Sequence, residues 1–223
     1  MIDLLAAAYG PQHWWPAETA FEVILGAYLT QNTSWQAVER SLANLRAAGA
    51  LSMEGLRSIA LEDLKNLIRP SGFYTRKAPA LKAFLAMLDG EFQGSLEKLA
   101  GNPTAALRRR LLALPGVGPE TADAILLYAL KHPVAVADEY LRRIAVRHGL
   151  LHVPEGRKGY EMLVKLTEQA FAADAPEDRI RHFNEAHALV VAVGKAHCGP
   201  AAQCTGCPLA ADLEQSGKAG RRG

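Results

Sequence analysis

The stretch Leu114-Pro115-Gly116-Val117-Gly118-Pro119 constrains this chain more than any other. Two glycines two residues apart let the backbone turn tightly and come close to another surface. Helical patterns stand on both sides of it. From Thr104, residues Leu107, Leu111 and Leu112 point inward at helical spacing, with Arg108, Arg109 and Arg110 mostly outward. Beyond the turn, Pro119 suits a first helical position, and Ala122, Ile125, Leu126 and Ala129 form one apolar stripe. Residues 104–131 therefore read as helix, hairpin, helix. The amides of such a hairpin, with the start of its second helix, can face a phosphate without any side-chain charge. That mode grips nucleic-acid backbone and not sequence; a purely structural turn between helices would look alike. The candidate contacts are Leu114, Gly116, Val117, Gly118 and Thr121.

The remaining pattern is helical throughout, with no convincing alternating strand, so the expected class is all-α. Phe21 to Leu29 is apolar almost all round and reads as a central core helix. It ends in Thr30-Gln31-Asn32-Thr33-Ser34, after which Trp35, Val38, Leu42 and Leu45 repeat at helical spacing. Gln31 and Asn32 sit at the tip of this helix-loop-helix, either as DNA contacts or as caps and turn formers. Further helices are expected over 52–68, 74–88, 95–99, 159–171 and 178–195, with another begun by Asp138. Trp14 and Trp15 are adjacent on a turn-rich segment, where neighbouring side chains face opposite ways. Both are buried only if elements cover both sides, as a plug between lobes or as stacking surfaces for a ligand.

The 223 residues suffice for one large domain or two lobes, read as 18–134 and as 1–17 with 135–213, before a polar, disordered tail over 214–223. The balance of 25 Lys and Arg against 23 Asp and Glu permits nucleic-acid binding without arguing for it. Met1-Ile2-Asp3 lacks a basic leader pattern and no apolar run approaches a membrane span, so a cytoplasmic, monomeric protein without a membrane partner is expected. Cys198, Cys204 and Cys207 cluster within ten residues, which suits a metal better than a disulfide framework.

Taken with Thr30-Gln31-Asn32, Gly72-Phe73-Tyr74, Lys77-Ala78, Val136-Ala137-Asp138 and Gly194-Lys195, the hairpin resembles that of the endonuclease III superfamily of DNA glycosylases. In that family two lobes flank damaged double-stranded DNA, the hairpin holds its backbone, a loop residue fills the gap left by an extruded base, and an aspartate serves the glycosidic bond. The resemblance implies that Asp138 is the catalytic carboxylate, although an Asp before a helix is also a good N-cap. One residue can do both.

Glu120 departs from the bifunctional members, which carry a lysine just past the hairpin. A carboxylate cannot form the imine that leads to strand cleavage. A monofunctional enzyme is implied, needing no cofactor for its chemistry. Glutamate here also resembles the 3-methyladenine DNA glycosylase branch, whose base pocket would correspond to Glu120, Trp14, Trp15, Trp35 and Lys195, the lysine either approaching Asp138 or standing in solvent. Trp35 fits core packing equally, since it shares a stripe with Val38, Leu42 and Leu45. The implied substrate is an alkylated purine; the alternatives are an oxidised, deaminated or mismatched pyrimidine, or a catalytically silent module that recognises DNA structure.

The family also implies a [4Fe-4S] cluster on four cysteines. Leu213 stands where the fourth belongs, and the first loop is one residue short. Substitution by His197 or Asp212, an outside ligand on the fourth iron, a labile cluster and a relic are the open readings.

Overall fold

The computed structural model describes residues 1–15 and 17–213, so the tail over 214–223 lies outside the described residues. The described residues are helical and contain no strand. They fall into two compact units, one within residues 15–132 and one of residues 1–14 with 133–213.

In the 15–132 unit, α2 (Ala20–Leu29) is buried from Phe21 to Leu29, which explains an apolar run broken only by Glu22. Each Leu or Ile so buried contributes roughly 1.5–3 kcal/mol. Thr19 caps the helix by accepting from the Glu22 amide at 3.1 Å, and the Glu22 carboxylate accepts from the Glu18 amide at 3.2 Å. The first contact satisfies an amide that the helix itself leaves open, and the second fastens the residue before the cap. α3 (Trp35–Ala47) and α6 (Tyr74–Phe92) pack against α2, and the short α4 (Met53–Ser58) and α5 (Leu61–Leu67) pack against α6. Helix α6 runs four residues past the Leu88 expected from sequence and passes through Pro79, which removes one hydrogen bond without ending it. α7 (Leu96–Ala100) leads to α8 (Thr104–Leu112) and, after the hairpin, to α9 (Pro119–Ala124).

Two features of this unit were not legible beforehand. The stripe expected to continue α9 is a π-helical turn over Ile125–Ala129, closed by the Leu130 amide on the Ile125 carbonyl. All five of its residues are buried, so a one-sided stripe understates it. Lys77, 4% exposed, donates to the Leu29 carbonyl at 2.8 Å and to the Ser71 carbonyl at 2.7 Å, tying the end of α2 to the turn before α6. Burial pushes its ammonium pKa down to about 8.

The other unit comprises α1 (Ile2–Tyr9), α10 (Glu139–Arg147), α11 (Gly156–Ala170) and α12 (Pro176–Ala196). Leu5, Ile144, Leu189, Val190, Val193, Cys198 and Leu209 form one core there; Ala137, Ala145, Val153 and Leu163 form a second. α12 packs against both α1 and α10. Among the described residues no helix is long and apolar enough to cross a membrane.

Candidate functional site

The hairpin is built as a rigid clip. Gly116 takes φ +74°, a left-handed conformation that strains any residue with a Cβ, and its own Cβ would press on Ala80 at 3.3 Å. Leu114 and Val117 are buried, so they anchor the loop through their side chains. The Val117 amide donates to the Leu114 carbonyl at 3.3 Å and is used inside the turn. That leaves Gly118 and the first turn of α9 to present outward amides, Pro119 having none. Thr121 is buried and also inward, whereas Glu120 is exposed at the start of α9.

Two contacts brace this clip. Arg108 on α8 grips Asp123 on α9 through Nε at 2.6 Å and Nη2 at 2.9 Å. The outward reading of the three arginines is thus corrected for Arg108, because the fully buried Asp123 needs a paired charge. Gln31 is likewise drawn in from its expected tip. Its Nε2 donates to the Gly116 carbonyl and to Thr121 Oγ1, both at 2.8 Å, so its amide nitrogen supports the hairpin. Asn32 stays exposed at φ +51°, a conformation asparagine tolerates.

The same unit holds an aromatic group. Trp15 meets Trp35 edge-on at 5.4 Å and Tyr128 in a tilted pair at 5.3 Å. Gly26 on α2 makes room for it, since a Cβ there would lie 3.1 Å from Trp15 Cζ2. Trp35 is half-buried, with Nε1 donating to Glu39 Oε1 at 2.9 Å, while Val38, Leu42 and Leu45 on its stripe are buried. Tyr128 escaped the sequence reading because its burial comes from the π-helical turn.

In the other unit, Asp138 is the N-cap of α10: Oδ1 accepts from the Leu141 amide at 2.8 Å. Its Oδ2 lies 3.7 Å from Nε2 of His187 on α12. Trp14 carries the exposed Lys195 over its ring at 5.5 Å, a cation–π contact where solvent or Asp138 was expected. His187 was missed because nothing in a helical stripe says which distant residue it faces.

The three cysteines do not fit a cubane. Cys198 is buried, Cys204 exposed and Cys207 between these, and Leu213 stands beside them in the fourth place. Arg147 points Nη1 at Cys198 Sγ, 3.4 Å away, and donates through Nη2 to the Gly199 and Pro200 carbonyls at 2.9 and 2.8 Å. His197 Nδ1 is engaged with the Gln203 carbonyl at 3.0 Å. Among the described residues no group of three His, Cys, Asp or Glu side chains could hold a metal ion. His148, in the same hollow, has its pKa lowered by burial against the opposing effect of the Asp212 carboxylate.

The described residues thus form an all-helical fold with a braced helix-hairpin-helix and an Asp-capped helix twenty residues beyond Gly118. Residues 25–169 match the family model described as HhH-GPD superfamily base excision DNA repair protein. The chain is 40% identical over 211 residues, 94% of its length and 92% of the relative's, to a provisionally named DNA repair glycosylase of Methanocaldococcus jannaschii. It is 31% identical to an endonuclease III of Thermotoga maritima over 66% of this chain and 64% of the relative. Among solved structures it resembles the H. pylori 3-methyladenine DNA glycosylase bound to 1,N6-ethenoadenine, with a TM-score of 0.73 and 30% identity over 87% of this chain and 93% of that one. A non-covalent endonuclease III–DNA complex, at 22% identity, shares the fold with a TM-score of 0.75 over 99% and 95% of the two chains. The chain belongs to the HhH-GPD superfamily of base excision DNA repair proteins.

Proposed function

We propose that this protein is a monofunctional DNA glycosylase that releases an alkylated purine, such as 3-methyladenine, from double-stranded DNA. The observation that carries the reading is Glu120 on the first turn of α9, in the place where bifunctional relatives carry their lysine. A carboxylate there cannot attack the sugar as an amine does.

The hairpin amides and the start of α9 serve the phosphate backbone, and Gln31 keeps that loop in shape. Trp15, Trp35 and Tyr128 supply electron-rich rings, which suit the positive charge of an N-alkylated purine. Such a base leaves with the electrons of the glycosidic bond and becomes neutral, so it needs little protonation. The sugar left behind resembles an oxocarbenium ion, which the Asp138 carboxylate stabilises electrostatically. Water then adds to C1′ and passes a proton to that carboxylate. The cap to the Leu141 amide fixes Asp138 for this work.

The test scores base release and strand nicking separately on duplexes with methylated, oxidised, deaminated or mismatched bases. Release of methylated purine by wild type, only a small residual rate by Asp138→Asn, no nicking and no borohydride-trapped adduct are expected. A trapped adduct defeats the monofunctional reading. Dominant release of oxidised pyrimidines overturns the alkylpurine assignment and moves the substrate to that class.

A further inference from the structure

Asp138 is held from two directions, and only one of them belongs to the helix cap. Oδ1 takes the Leu141 amide, while Oδ2 faces His187 Nε2 at 3.7 Å. Both side chains are nearly enclosed, 11% and 9% exposed. We propose that His187 is a positioning residue for Asp138, fixing the carboxylate oxygen that the cap leaves uncommitted. The inference rests on the reading of Asp138 as the carboxylate of the glycosidic step.

The cap alone permits the carboxylate to rotate about its single bonds while Oδ1 stays engaged. A hydrogen bond from His187 to Oδ2, formed as the site tightens, removes that freedom. A carboxylate offers about four lone-pair directions, so two remain for the sugar and the water. The 3.7 Å separation exceeds a hydrogen bond, as contacts at catalytic groups often do before substrate tightens them.

The distance is set by how α12 lies on α10, and that register has a visible determinant. Gly194 sits seven residues beyond His187, about two helical turns, hence on the same face. Any Cβ on Gly194 would come within 2.3 Å of Tyr140 Cγ. Tyr140 therefore lies directly across the glycine, two residues after Asp138 in sequence. The close approach at Gly194 and the Asp138–His187 contact are two ends of one helix pairing.

The experiment measures single-turnover base release, on whichever lesion the wild-type protein releases, together with affinity for a duplex containing a tetrahydrofuran abasic analogue. His187→Ala is expected to slow release by roughly 100-fold, the scale of a misplaced reacting group, with affinity unchanged. His187→Gln, which keeps a donor near the same place, should recover most of the rate. In an Asp138→Asn background, His187→Ala should change residual release by less than about threefold, as expected of residues acting through one another. Near-wild-type release by His187→Ala while Asp138→Asn keeps only its residual rate overturns the inference alone. So does an equal loss in both backgrounds, or a Gln variant that folds and is no faster than Ala. Full release by Asp138→Asn instead removes the underlying assignment, and the single Asp138 variant shows this by itself.

Discussion

Arg108 and Asp123 join the two helices of the hairpin motif through a two-pronged ion pair whose partners differ sharply in exposure, 27% for the arginine side chain and 0% for the aspartate. The asymmetry decides which half matters more. Removing Asp123 leaves a guanidinium that can turn to water, whereas removing Arg108 leaves a buried carboxylate without its counter-charge. Arg108→Met is therefore expected to cost about 3–5 kcal/mol and Asp123→Asn distinctly less. Urea unfolding of both variants checks the order; equal losses contradict it.

Gln31 acts on the hairpin from outside. Gln31→Ala removes both donors from the Gly116 carbonyl and Thr121 Oγ1, and Gln31→Glu replaces the donor by an acceptor facing a carbonyl. Each hydrogen bond contributes about 0.5–1.5 kcal/mol. The expected outcome is weaker binding to undamaged duplex, about tenfold for Ala and more for Glu, with the melting temperature lowered by a few degrees. Fluorescence anisotropy measures this. Unchanged affinity in both variants would show that the hairpin holds its shape unaided.

Lys77 makes stability depend on pH. Its folded pKa of about 8 lies below the ordinary 10.5, so between these values the unfolded chain binds more protons than the folded one. Stability from this group must then rise with pH from about 8 to about 10.5, the burial penalty being complete below that window. Lys77→Met abolishes the dependence while leaving two carbonyls without their donor. Unfolding free energies of wild type and variant, compared at intervals from pH 7 to pH 10, should diverge upward for wild type. A constant difference across that range refutes the shift.

Arg147 ties the cysteine segment to α10. Arg147→Met removes three donated contacts and should destabilise the protein by about 2 kcal/mol or more. Cys204→Ser, at an exposed position, should fall within about 0.5 kcal/mol of wild type. Anaerobic purification is expected to yield protein without absorption near 400 nm. Stoichiometric iron and sulfide in that preparation would reverse the assignment.

Much of this was written in local chemistry. The all-helical class, the hairpin, the core helix over Phe21–Leu29 and the cap at Asp138 follow from periodicity, two glycines and a short polar side chain, all of which act within a few residues. The absence of a fourth cysteine and the carboxylate at Glu120 also need no fold to be read. What only the tertiary structure decided are the partners of groups far apart in the chain: Gln31 with Gly116, Arg108 with Asp123, Lys77 with two carbonyls, Lys195 over Trp14, and His187 facing Asp138. Sequence periodicity tells which face of a helix is buried, but not against what. That choice is made by close packing, where a missing Cβ at Gly26 or Gly194 lets one ring approach and so fixes the register of everything beside it.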